Sequence, residues 1–165
     1  MAAPRFIGLA SAAIVLAGCS TGVWPGETAP AATVAPVPTL DSGQVEGGRH
    51  LYAQYCASCH GWSGEGVPNW QQPDASGNLP PPPHDDAGHT WRHGDAQLVE
   101  IIRNGQRDPF NKSPDLTMPP FKDQLSDGDI VALITYFKSL WLPEHRRYQE
   151  EQSQRQGTPM SAGGE

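Results

Sequence analysis

The chain has 165 residues, a formal net charge of −7 and 37% hydrophobic residues, with seventeen prolines, eighteen glycines and three cysteines. The acidic balance disfavours nucleic acid and a strongly acidic partner, and the thin aliphatic content leaves material for one small domain rather than several. So much proline and glycine argues for long irregular connections instead of regular layers, and a small domain of that kind usually needs a staple, a metal or a cofactor to complete its core.

Met1 to Arg5 carries one positive charge, Phe6 to Leu16 is small and apolar, and Leu16-Ala17-Gly18-Cys19 closes the segment. The apolar run is shorter than the roughly 20 residues of a membrane-spanning helix, so it reads as a targeting segment. The closing tetrapeptide resembles the lipobox of bacterial lipoproteins. That resemblance implies a signal peptide over 1–18, lipidation of Cys19, and an exported, lipid-anchored protein of the cell envelope facing the periplasm or another extracytoplasmic space. The mature form is then one unit more negative, because Arg5 leaves with the leader. The alternative is a plain secretory signal, which would leave Cys19 as a loose thiol in an oxidising compartment. Residues 19–40, mostly Pro, Ala and Thr after the cysteine, form an extended linker.

A domain is expected over 41–142. Asp41 or Ser42 caps a first helix that continues through Gln44 to Gln54 and runs into Cys56-Ala57-Ser58-Cys59-His60. A middle helix follows, with Asp95 as cap, Leu98, Ile101 and Ile102 at helical spacing, and Gly105 as its stop. Ser126-Asp127-Gly128-Asp129 opens a last helix, whose stripe of Ile130, Leu133, Ile134, Phe137, Leu140 and Trp141 is ended by Pro143. No alternating strand is recognisable. Residues 143–165 are polar and repetitive in Glu, Gln and Arg, which predicts a flexible tail.

The pentapeptide Cys56 to His60 admits three chemistries: a zinc half-site, a dithiol redox switch, or a covalent haem attachment. Zinc wants four ligands, typically with a second cysteine pair or two spaced histidines, and no second pair exists. A thioredoxin-like dithiol wants a strand before it and a βαβ frame after it, and neither is present. C-x-x-C-H is the attachment signature of c-type haem: two thiols add across the vinyl groups, and the histidine beside the second is carried under the iron. A buried haem would also supply the core that the composition lacks.

From "GGRHLYAQYCASCHG" to "LSDGDIVALITYFKSLW" the domain resembles a class I c-type cytochrome over about 100 residues. The resemblance implies an all-α fold of three to five short helices around one covalently bound haem c, with long Pro/Gly-rich loops. It also implies that the first and last helices cross at Gly48 and Tyr52, against Leu133 and Tyr136. His60 and Met118, in "DLTMPPF", would be the axial ligands, beside Cys56 and Cys59 as attachment points. A proline carbonyl, assigned to Pro82, would orient His60. By analogy, Trp91 packs on the haem edge with its indole N–H toward a propionate, and Arg92 or Arg103 supplies countercharge.

His84, His89 and His93 are rival ligands, and His84 stands where similar cytochromes more often have leucine. His89 and His93, spaced i,i+4, would bind a metal only on a helix. Arg92, Arg103, Arg107, Lys112 and Lys122 cluster in the haem-proximal half of the sequence and would be available for a local basic rim. Two strong ligands leave no open iron site, so the expected function is electron transfer to membrane-bound redox proteins, such as a terminal oxidase, a dehydrogenase or another cytochrome. The alternative is a peroxidase-like haem enzyme, with His84 or His89 as distal group, or a haem-based sensor with a displaceable sixth ligand.

Overall fold

The computed structural model describes residues 36–107 and 117–157. The proposed leader, Cys19 and most of the linker lie outside the described residues, as do Lys112 and the last eight residues of the chain. The fold is all-α: α1 (Ser42–Tyr55), α2 (Ala57–His60), a single 3₁₀ turn (Thr90–Arg92), α3 (Asp95–Asn104), α4 (Asp127–Ser139) and α5 (Pro143–Gln156). Among the described residues there is no strand beyond one isolated bridge between Gln106 and Met118, and no helix is long and apolar enough to cross a membrane.

The helix starts follow from local chemistry. Asp41 precedes α1, and its carboxylate accepts the Gln44 N–H at 2.8 Å. At α4 the Ser126 hydroxyl accepts the Asp129 N–H, and the Asp129 carboxylate accepts the Ser126 N–H, so two orphan donors are satisfied reciprocally. Helix α3 departs from expectation, because Gly94 is its cap and Asp95 its first helical residue. Gly94 has no side chain to offer, and the Asp95 N–H is instead met at 3.0 Å by the hydroxyl of Ser153, from α5.

The core is the crossing of α1 with α4. A Cβ on Gly48 would overlap the Ala132 carbonyl and stand 2.8 Å from Tyr136 Cβ, so only glycine permits this backbone approach. One turn on, Tyr52 meets the rings of Tyr136 at 5.2 Å and Phe137 at 5.9 Å. Leu133 and Ile130 are fully buried beside them, and Leu98 and Ile102 of α3 complete the cluster.

The expectation of a flexible tail from Pro143 is corrected over 143–156, which form a 14-residue helix packed on α3 and the 3₁₀ turn. Pro143 starts α5 at a first-turn position, where its missing N–H costs nothing. The helix has no apolar stripe, which is why its pattern reads as solvent-exposed. It docks instead through polar groups and rings. Gln149 is fully buried, its amide donating to Asp95 Oδ1 at 2.5 Å and to the His93 carbonyl at 3.2 Å. His145 stacks on Trp91 with ring centroids 3.9 Å apart, and its Nδ1 lies 2.6 Å from Asp86.

Candidate functional site

Helix α1 ends at Tyr55, and Cys56 is its cap, donating its N–H to the Tyr52 carbonyl at 2.9 Å. The single turn α2 continues from there, with the His60 N–H bonded to the Cys56 carbonyl at 2.9 Å. Helical spacing puts Cys56, Cys59 and His60 on one side of that turn. Neither cysteine is in a disulfide; Cys56 is buried and Cys59 exposed. Burial pushes the Cys56 thiol up to about 12.

The His60 ring is buried, and its Nδ1 lies 2.8 Å from the Pro82 carbonyl oxygen. A carbonyl only accepts, so Nδ1 carries the proton and Nε2 keeps its lone pair, the state a metal ligand needs. Burial holds this imidazole below the ordinary histidine range, while the bond to Pro82 acts in the opposite sense. The Pro82 carbonyl is steered there by a pair of loop segments. Val67 donates to Pro81 at 3.0 Å and His84 donates to Gly64 at 2.7 Å. Gly66 lies between them at φ +67°, where an added Cβ would press on Pro83 and stand 2.7 Å from the Pro82 carbonyl carbon. Proline supplies stiffness without a competing N–H, and glycine supplies the close approach.

His84 forms the wall behind His60. Its ring stacks on His60 at 4.2 Å and, on its other side, on Phe137 at 4.4 Å, with the edge of Tyr52 at 6.1 Å. Burial, with His60 and His89 nearby, holds it well below the ordinary histidine value. This position rules His84 out as a group on the face opposite His60.

Met118 is half-buried against the core, and its backbone is fixed by the end of α3: Gln106 and Met118 exchange two N–H···O bonds of 3.0 Å. Phe121 and Lys122 donate to the carbonyls of Ile102 and Arg103, both at 3.1 Å, which holds the proline-rich stretch between them against α3.

The structure gives Trp91, Arg92 and Arg103 partners within the protein. The Trp91 indole N–H donates to the Gly88 carbonyl at 3.1 Å and its ring face is covered by His145, so Trp91 is turned toward α5 and has no N–H left for a propionate. Arg92 lies over the Trp91 ring at 4.9 Å, and Arg103 pairs with Asp127 at the start of α4. The segment around His89 and His93 is a 3₁₀ turn, their rings meet edge to face at 5.3 Å, and His89 stacks on Trp70. Among the described residues no group of three or more His, Cys, Asp or Glu could hold a metal ion. Sequence reasoning missed Thr90, whose hydroxyl lies 2.9 Å from His84 Nδ1, and the Trp141 N–H, which donates to the His84 carbonyl at 2.7 Å. Nothing in a linear pattern ties these positions to His60.

An all-α domain that presents C-x-x-C-H on a helical turn, with the histidine already oriented through its far nitrogen, is a c-type cytochrome domain. Residues 43–137 match the family model described as Cytochrome C oxidase, cbb3-type, subunit III, and the chain belongs to that family. The match runs from the first turn of α1 to the last turn of α4 and leaves α5 outside it. The family implies covalently bound haem c and haem-based electron transfer in an extracytoplasmic domain. The donor set fits: two unpaired cysteines and a buried histidine with a free Nε2 lone pair.

Proposed function

We propose that the chain is a membrane-tethered carrier of single electrons, with one haem c linked through Cys56 and Cys59, His60 as the proximal ligand and Met118 as the sixth. The observation that carries this reading is the 2.8 Å contact from His60 Nδ1 to Pro82, which leaves Nε2 available beside two unpaired cysteines. Bound haem c supplies one-electron chemistry at its iron.

The protein's own residues set the conditions for that chemistry. Pro82 fixes the tautomer and plane of His60, and the core rings keep water from it. A Met118 thioether is a soft donor that favours ferrous iron and raises the potential relative to a second histidine. Lipid on Cys19 and a linker over 19–40 would hold the domain near a membrane-bound redox partner, at a raised effective concentration. The stacking of His84 on His60 argues against His84 as the distal group of a peroxidase-like site, for which His89 was the other candidate.

The test is an absorption spectrum of the matured protein, oxidised and reduced, for wild type and Met118→Ala. A covalent low-spin haem whose weak near-infrared sulfur-to-iron band vanishes in the variant supports the ligand pair. An unchanged spectrum moves the sixth ligand elsewhere, and a high-spin wild type that binds CO readily favours an enzyme or sensor. Intact-mass measurement of the detergent-extracted protein tests cleavage before Cys19 and its lipidation.

A further inference from the structure

We infer that His84 is a positioning residue for His60, a role that rests on the proposed haem ligation: its ring fixes the plane of the proximal imidazole and gives that ligand a polar wall. The geometry is a three-ring stack. His60 and His84 lie 4.2 Å apart at 29°, and His84 and Phe137 lie 4.4 Å apart at 21°. The Pro82 contact constrains one edge of His60, and the stack constrains one face. Together they leave the ring little freedom to rotate about its Cβ–Cγ bond.

His84 is itself held from several directions. The Thr90 hydroxyl donates to the Pro83 carbonyl at 3.3 Å, so its oxygen is left to accept the Nδ1–H of His84 at 2.9 Å. That assigns the tautomer of His84, with its lone pair on Nε2. The backbone is pinned by the Gly64 carbonyl on the N–H side and by the Trp141 indole on the carbonyl side, both at 2.7 Å. The two backbone bonds would hold any residue here, but the Thr90 bond is made by the imidazole itself and is more than a space-filling side chain requires. A polar, polarisable ring against the ligand stabilises the more highly charged, oxidised state relative to a hydrocarbon wall.

The experiment uses the full-length, haem-loaded protein as wild type, His84→Leu and His84→Phe. Covalent haem is first verified by denaturing extraction and a pyridine spectrum. Midpoint potential is read by spectroelectrochemical titration, and ligand-plane orientation by the g-value spread of the low-spin ferric EPR signal. His84→Leu is expected to raise the potential and change the g-values. His84→Phe is expected to raise the potential while keeping the wild-type g-values, because a flat ring restores the stack without the polar edge. Should the leucine variant fail to fold, the phenylalanine variant carries the test: an unchanged potential overturns the polar role, and altered g-values overturn the stacking role. Haem-loaded variants matching wild type in both readouts would overturn this inference alone. A wild type without covalent haem would overturn the ligation reading and this inference with it.

Discussion

The indole N–H of Trp141 donates to the carbonyl of His84 across 2.7 Å, joining the end of the α4 stripe to the wall of the proximal histidine. Both partners are buried, so the bond has no water to replace it. Trp141→Phe keeps most of the ring and leaves the His84 carbonyl unsatisfied, which costs about 1–3 kcal/mol. Urea denaturation of the variant should give a lower midpoint with an unchanged slope, the mark of lost stability without a change in the surface exposed on unfolding.

Gly47 and Gly48 are adjacent in α1 and should respond in opposite ways to alanine. A Cβ on Gly48 meets the Ala132 backbone, which has no flexible end to move aside, and overpacking of this kind costs about 1–3 kcal/mol or more. A Cβ on Gly47 meets nothing within 4 Å, and the gain in helix propensity is about 1 kcal/mol. Thermal melts of the two single variants should therefore move to either side of wild type.

Much of this was legible in the sequence because the signals were local. The all-α class, the Asp41 and Ser126 caps and the apolar stripe of α4 follow from residues within a turn of one another. The Gly48 approach was legible only through resemblance, since a lone glycine in a helix carries no address for its partner. Helix α5 was illegible for a physical reason. Its burial rests on Gln149, Ser153 and the His145 ring, residues whose usual place is the surface, and each partner lies more than fifty positions away. The cover over Trp91 was illegible in the same way, since nothing near Trp91 in sequence announces His145.

If α5 is part of the fold and not a tail, removing it must expose the groups it satisfies. Truncation after Leu142 leaves the Asp95 N–H and Oδ1 without their α5 partners, while Oδ2 keeps Lys138, and it uncovers Trp91. Gln149→Ala removes the buried amide alone, and leaving its acceptors unpaired costs about 1–3 kcal/mol. The truncation should lower the unfolding midpoint by more than Gln149→Ala does, and both should increase tryptophan quenching by acrylamide. A truncated chain as stable as wild type would return 143–156 to the status of a tail.

Stability should also fall on mild acidification, and the sign follows from two half-buried histidines. Burial holds His89 and His93 below their ordinary value of 6.5, with neighbouring positive charge on Arg92 acting in the same sense. Their neutral forms fit the fold, so stability is fully present above the unfolded value and is lost as pH falls through the lower folded one. The carboxylates held low, Glu46, Glu65 and Asp129, lose their contribution only below their own ordinary values of 4.5, 4.5 and 3.8, so the two windows are separated. Denaturation midpoints compared at about pH 7.5 and about pH 5.5, to either side of the ordinary imidazole value, should show the loss. The drop should shrink in a His89→Phe, His93→Phe double variant, whose rings keep the contact with Trp70 and with each other but no longer titrate. An equal drop in that variant would place the acid sensitivity on other groups.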